Sequence, residues 1–96
     1  MKKREYATVV EQREIAAGIY SMWLQTEQIA EAAVAGQFLS IYSRDESRML
    51  PRPISICELD RKKGSVRIVY RVAGKGTEEF SRMKAGEKLP VLGPLG

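Results

Sequence analysis

Apolar and polar positions alternate along this chain in short runs, broken by glycine, proline and clusters of charge. Successive side chains of a strand point to opposite faces, so this is a strand pattern and not the roughly 3.6-residue period of long helices. The clearest run is Val66-Arg67-Ile68-Val69-Tyr70-Arg71-Val72, with Val66, Ile68, Tyr70 and Val72 on one face and Arg67, Val69 and Arg71 on the other. β-Forming residues predict further strands at residues 5–11, 19–24 (entered through Gly18), 36–42, 53–59 and 88–92. The strands at 53–59 and 66–72 form a hairpin across residues 60–64, and a polar loop covers residues 43–48.

Two segments favour helix. Residues 27–35 are rich in alanine and stop at Gly36. Residues 77–84 begin with Thr77 as an N-cap, carry acids in the first turn and bases in the last, and stop near Gly86. Short strands with two brief helices, and no internal repeat or linker, predict an antiparallel barrel or sandwich.

Composition narrows this picture. A chain of 96 residues supports one core, because it buries only about two-thirds of its unfolded surface. At 44% hydrophobic and 29% charged it is an ordinary globular composition. No uncharged stretch is longer than residues 15–26, which are interrupted by Gly18, Ser21 and Gln25 and fall short of the ~18 apolar residues of a membrane span. The N-terminal MKKREYATVV lacks a signal-peptide core, so the expectation is a cytoplasmic protein with no membrane partner.

The residue types that are scarce also narrow the chemistry. There is no histidine, hence no imidazole base, Ser-His-Asp triad or imidazole metal ligand. The single cysteine, Cys57, rules out an internal disulfide or a cysteine-rich metal site, and is read as a small buried hydrophobe. Redox or transfer chemistry would have to come from a bound cofactor. A net charge of +4 suits an anionic ligand such as a phosphate, and is too mild to argue for nucleic acid.

Three constellations are candidates for binding. In Arg52-Pro53-Ile54-Ser55-Ile56, a proline opening a strand puts Arg52 just outside the ladder, with its guanidinium exposed to fork onto phosphate oxygens. Ser55 offers a hydroxyl about 10 Å further along. Taken alone, these residues read more simply as a surface arginine, a turn proline and a strand serine. Gly74-Lys75-Gly76-Thr77 leads into a helix, where unpaired N–H groups suit an anion, although a turn with an N-cap explains it equally well. It is not a P-loop: Gly76 follows Lys75 where Ser or Thr is needed, and Val69 stands where the earlier glycine belongs. Tyr70 and Arg71 point to opposite faces, one packed and one wet. Trp23, Phe38 and Tyr42 are expected in the core or at the barrel edge, and Arg61-Lys62-Lys63 at a solvated hairpin tip.

The order of these motifs is more specific than any one of them. Ala35-Gly36-Gln37-Phe38, Arg52-Pro53-Ile54-Ser55-Ile56, Tyr70-Arg71-Val72, Gly74-Lys75-Gly76-Thr77 and Gly93-Pro94-Leu95-Gly96 follow one another over nearly the whole chain. The succession resembles the FAD-binding domains of the ferredoxin reductase-like superfamily, in the branch of the electron transfer subunits of bacterial dihydroorotate dehydrogenase. The resemblance implies an all-β fold, a six-stranded antiparallel Greek-key barrel with one or two short helices, holding FAD across its strands. It implies Arg52 at the FAD pyrophosphate, with Pro53, Ile54 and Ser55 alongside and the Ser55 hydroxyl beside flavin N5. Val69, Tyr70 and Arg71 would form a second FAD-contacting stretch, and Gly76 and Thr77 would supply backbone donors to the phosphates. The superfamily usually has tyrosine where Ile54 stands, so flavin stacking would come from elsewhere.

The same resemblance implies that residues 1–96 are one FAD-binding domain, N-terminal in a longer subunit. Such subunits continue into an NAD-binding domain and a cysteine cluster for a [2Fe–2S] centre, and pair with a catalytic dihydroorotate dehydrogenase subunit in pyrimidine biosynthesis. The 96 residues alone would bind flavin without turning over NADH. Two rivals stand beside this reading: the FAD domain of another NAD(P)-linked reductase, and a basic β-barrel that binds single-stranded nucleic acid through Tyr70, Arg67 and Arg71.

Overall fold

The computed structural model describes residues 2–43 and 51–96; beyond Ser43, the expected polar loop lies outside the described residues. In chain order the elements are β1 (Lys3–Ala16), β2 (Ile19–Gln25), α1 (Glu27–Ala32), β3 (Phe38–Ile41), β4 (Arg52–Asp60), β5 (Ser65–Arg71), α2 (Lys75–Ser81) and β6 (Lys88–Leu95). The strands close into a barrel in the order β1-β2-β5-β4-β3-β6, and every neighbouring pair is antiparallel. Closure removes the exposed edges that a sheet of this size would otherwise present.

Alternation sets what fills the interior. Met22 and Leu24 from β2, Val66 and Ile68 from β5, Leu39 and Ile41 from β3, and Leu89 and Val91 from β6 are all essentially inaccessible. Burying one such side chain contributes roughly 1.5–3 kcal/mol. The two helices stop opposite ends of the barrel. α1 lies at the Ser65 end of β5, where Thr26 N donates to Gly64 O at 2.9 Å, and it inserts Ile29 and Ala30 into the core. α2 lies at the Tyr70 end, with Phe80 packed edge-on against the Tyr70 ring at 6.3 Å.

Several boundaries differ from the sequence expectation, each through a contact distant in sequence. β1 continues through the polar residues 11–16, because β2 pairs with them across a bulge after Val9. α1 ends at Ala32 although alanine favours helix: the Arg61 guanidinium donates to Ala33 O, and the Gln37 side chain accepts from Val34 N at 2.9 Å. These contacts turn the chain into the extended form at Ala33. β3 spans only Phe38–Ile41, because Gln37 O is taken by Ile56 N at 2.8 Å ahead of the regular ladder. α1 has no cap of its own, and Glu5 of β1 serves instead, accepting from Thr26 Oγ1 at 2.7 Å and Ile29 N at 2.9 Å.

Cys57 is exposed, which corrects the expectation that it is buried. Ile54 and Ile56 take the inward phase of β4, so Cys57 points out, where Arg67 Nη1 approaches its sulfur at 3.7 Å. Trp23, Phe38 and Tyr42 are half-buried on the barrel surface, and Arg61, Lys62 and Lys63 are exposed at the hairpin tip as expected.

Candidate functional site

The barrel is paired all the way round except along one seam. β4 pairs with β3 from Arg52↔Ile41 to Phe38↔Ser55, but its ladder with β5 begins only at Ile56↔Ile68. Residues 52–55 therefore have a partner strand on one side only. Val69, Tyr70 and Arg71 across the seam pair with Ser21, Tyr20 and Ile19 of β2 and not with β4. Pro53 carries no N–H and could not complete a ladder toward β5, and a bulge between Ile56 and Glu58 turns the strands apart. Backbone groups along the open edges are left for a ligand.

This seam forms an open groove of about 340 Å³, lined by Arg52, Pro53, Ile54, Ser55, Val69, Tyr70, Arg71, Ala73 and Thr77. Of the site residues proposed from sequence, Arg52, Pro53, Ile54, Ser55, Val69, Tyr70, Arg71 and Thr77 all line it. Gly76 lies just behind, against Arg52. Ala73, at the turn between β5 and α2, carries no chemical signal in its own side chain and was missed.

Arg52 is inside the ladder, opposite Ile41, and is half-buried, in contrast to the exposed position outside it that the sequence suggests. It shares the inward phase of Ile54 and Ile56, so its stem runs under the start of α2. A methyl group placed on Gly76 would come within 2.9 Å of Arg52 Nε and 3.7 Å of its Cγ. That cover leaves Nε buried without any hydrogen-bond partner. A buried, unpaired donor of a charged group costs a few kcal/mol, so it marks a place where an anionic acceptor is wanted. Arg71 is exposed, and neither arginine forms an ion pair among the described residues.

Ser55 is exposed and points away from Arg52, because three residues of strand separate opposite faces. A ligand that touches both must pass through the seam from one face of β4 to the other. Ile54 is 7% exposed and belongs to the core, so it lends the groove an apolar floor.

Tyr70 turns inward and Arg71 outward, as the alternation requires. The Tyr70 ring stacks on Tyr20 at 5.8 Å, and its hydroxyl donates to Gln12 Oε1 at 2.5 Å. Burial, and secondarily the neighbouring Tyr20 hydroxyl, push the Tyr70 phenol well above the usual tyrosine range. A ring committed to the interior has no face left for a base, and Arg67 is occupied by Ser21 Oγ at 2.8 Å and Glu58 Oε1 at 2.8 Å. Of the three residues on which the single-stranded nucleic-acid reading depended, Tyr70 and Arg67 are taken, and Arg71 alone is left exposed.

Thr77 is not the N-cap of α2. Gly74 holds that position, and Thr77 is the third helical residue. Its hydroxyl accepts from Ala73 N at 2.7 Å and donates to Gly74 O at 3.2 Å, which ties off the turn from β5 into the helix. No cluster of metal-ligating side chains occurs among the described residues, and no helix among them is long and apolar enough to cross a membrane.

Residues 6–96 match the family model of the oxidoreductase FAD-binding domain. The chain is 45% identical over 95 residues to the electron transfer subunit of dihydroorotate dehydrogenase B (NAD(+)) of Enterococcus faecalis strain V583, covering 99% of this chain and 36% of that protein. It is 47% identical over 93 residues to the subunit of the same name in Streptococcus mutans, covering 97% of this chain and 36% of that one. It thus spans about a third of the length of these curated relatives. Among solved structures, that of an NADH-dependent reduced ferredoxin-NADP oxidoreductase superposes with a TM-score of 0.88 at 28% identity, covering 96% of this chain and 33% of that one. The ferredoxin reductase of carbazole 1,9a-dioxygenase shares the fold, with a TM-score of 0.82 at 23% identity over 99% of this chain and 30% of that one.

Proposed function

This chain belongs to the oxidoreductase FAD-binding domain family, and from that premise we propose that it is the FAD-binding domain of an electron transfer subunit of the dihydroorotate dehydrogenase B type. In this reading residues 1–96 are one domain of a longer cytoplasmic subunit. Its remaining domains carry the NAD site and the [2Fe–2S] centre, and a catalytic subunit that oxidises dihydroorotate is its partner. Identities of 45% and 47% to two such subunits support this branch over the NADH-dependent ferredoxin-NADP oxidoreductase at 28%.

The observation that carries the FAD assignment is the buried Arg52 Nε, unpartnered at the mouth of an unpaired seam. Arg52 offers a charge-assisted fork to the pyrophosphate, and Gly76 leaves room for that side chain, since a methyl there would meet Arg52 Nε at 2.9 Å. Thr77 holds the turn that carries the Gly76 and Thr77 N–H groups toward the phosphates. Pro53, Ile54 and Ser55 on one side of the seam, and Val69, Tyr70 and Arg71 on the other, would hold and orient the flavin ring. Tyr70 would do so through its backbone, since its ring is held inside. The exposed Ser55 hydroxyl would be free to exchange a hydrogen bond with a ring nitrogen of the flavin. Bound FAD supplies the capacity to take an electron pair from one donor and release electrons singly to another. The chain's own residues would bind and orient it.

The test is reconstitution. Purified protein titrated with FAD and with riboflavin should bind FAD more tightly, because only FAD has a pyrophosphate for Arg52. Equal affinities would overturn the assignment.

A further inference from the structure

Gln12 lies on β1, away from the β4–β5 seam in the strand order, yet its side chain reaches the helix that covers Arg52. Its Nε2 donates to Phe80 O at 2.8 Å and to Met83 O at 2.9 Å, so a single amide holds two carbonyls at the C-terminal end of α2. Its Oε1 accepts from the Tyr70 hydroxyl at 2.5 Å, which sets the orientation of the amide and aims both N–H groups at α2. The bulge after Val9 matters here: it shifts the β1 register so that Gln12 faces inward beneath α2.

α2 is also held by the Thr77 hydroxyl at its start and by Ser43 Oγ, which donates to Glu79 Oε2 at 2.7 Å. The helix has seven residues, too short for intrinsic helix stability, and no side-chain hydrogen bond caps its N-terminus. Among the described residues, Phe80 and Met83 are the buried apolar side chains that hold it or its continuation to the barrel. At its other end Gly76 rests on the Arg52 side chain. The position of α2 therefore decides where the Arg52 guanidinium sits.

We propose that Gln12 is a positioning residue for the phosphate end of the groove, clamping α2 so that Arg52 is held in place for a pyrophosphate before any ligand arrives. This rests on the reading of the groove as an FAD site. Gln12 touches none of the residues proposed to meet the flavin ring except Tyr70, and Tyr70 it meets only at the hydroxyl, inside the barrel. Loss of the clamp should weaken binding of the pyrophosphate and leave binding of the ring unchanged.

Two variants test this. Gln12→Met keeps the length and removes all three hydrogen bonds; Gln12→Glu keeps the acceptor for Tyr70 but can donate to neither Phe80 O nor Met83 O. Both should lose FAD affinity about tenfold, because part of the binding energy must then be spent on ordering α2 and Arg52. Riboflavin affinity should stay at the parent value. Without ligand, amide hydrogen exchange should speed up in residues 78–83 and stay unchanged in β2 and β5. A parent protein without preference for FAD over riboflavin would sink the FAD reading itself. If the parent prefers FAD and both variants keep that ratio, the FAD reading stands and the Gln12 inference fails. It fails equally if either variant unfolds or loses both ligands in proportion, since Gln12 would then be holding the barrel together and not the groove.

Discussion

Gly76 packs directly on the side chain of Arg52: an added methyl would sit 2.9 Å from Nε, closer than carbon and nitrogen tolerate. Intrinsic propensity would favour alanine over glycine inside a helix by about 1 kcal/mol. Glycine at this position therefore serves the arginine and not the helix. Gly76→Ala should displace the guanidinium and lower FAD affinity about tenfold. The melting temperature without flavin should barely change, because gained helix propensity offsets the crowding. Paired titrations and thermal melts read both effects.

Arg52→Ala removes the charged fork altogether and should cost roughly 2–3 kcal/mol of FAD binding, about fiftyfold in affinity. The loss should shrink as salt rises, since part of the attraction acts through solvent. Without ligand the variant should be at least as stable as the parent, because a buried unpaired donor disappears. A variant that binds FAD like the parent would make Arg52 structural.

Ser55→Ala should separate occupancy from electronics. One neutral hydrogen bond is worth about 1 kcal/mol, so FAD affinity should fall no more than about fivefold. The reduction potential of the bound flavin should shift, measured by redox titration of the reconstituted protein. An unchanged potential would place the hydroxyl away from the ring.

Tyr70 should make the fold sensitive to alkali. Burial raises its phenol above the ordinary value near 10, so the folded state keeps a proton that the unfolded chain releases. Its contribution is fully present below about pH 10 and is lost as pH rises from there toward the folded value, by up to about 1.4 kcal/mol per pH unit. Melting curves of the parent should therefore fall more steeply between pH 10 and about 11 than those of Tyr70→Phe. Parallel curves would show that the hydroxyl is not buried as described.

Gly64 tests the opposite end of the barrel. It has φ +67°, and an added methyl would lie 2.8 Å from Glu27 Cγ and 3.0 Å from Gln25 Nε2. Gly64→Ala should destabilise the fold by about 1–2 kcal/mol through the left-handed backbone alone. FAD affinity of the folded protein should stay as it was, because α1 and this turn are remote from the seam.

The local pattern was enough for much of this architecture. The alternation over residues 66–72 correctly put Val66, Ile68 and Tyr70 on one face and Arg71 on the other, because side-chain direction along a strand is fixed by covalent geometry. The hairpin across residues 60–64 and the approximate positions of the strands along the chain were legible from the same pattern. The ordered motifs also pointed to residues that gather at one groove.

What the pattern did not reveal depends on partners far away in sequence. Thr77 looks like a cap, but the β5–α2 turn makes Gly74 the cap and uses the Thr77 hydroxyl to tie the turn. Ala33 looks helical until Arg61 takes its carbonyl. Gln12 looks like a polar surface residue until Tyr70, Phe80 and Met83 surround its amide.

The strand periods and much of the core were determined by the sequence alone, since each rests on neighbours within a few positions. The tertiary structure decided that β4 and β5 part at residues 52–55 and that Arg52 goes under α2 with its Nε unpaired. No single segment contains that information. A barrel closes only when all its strands agree in register, and where the last pair cannot meet is a property of the whole ring.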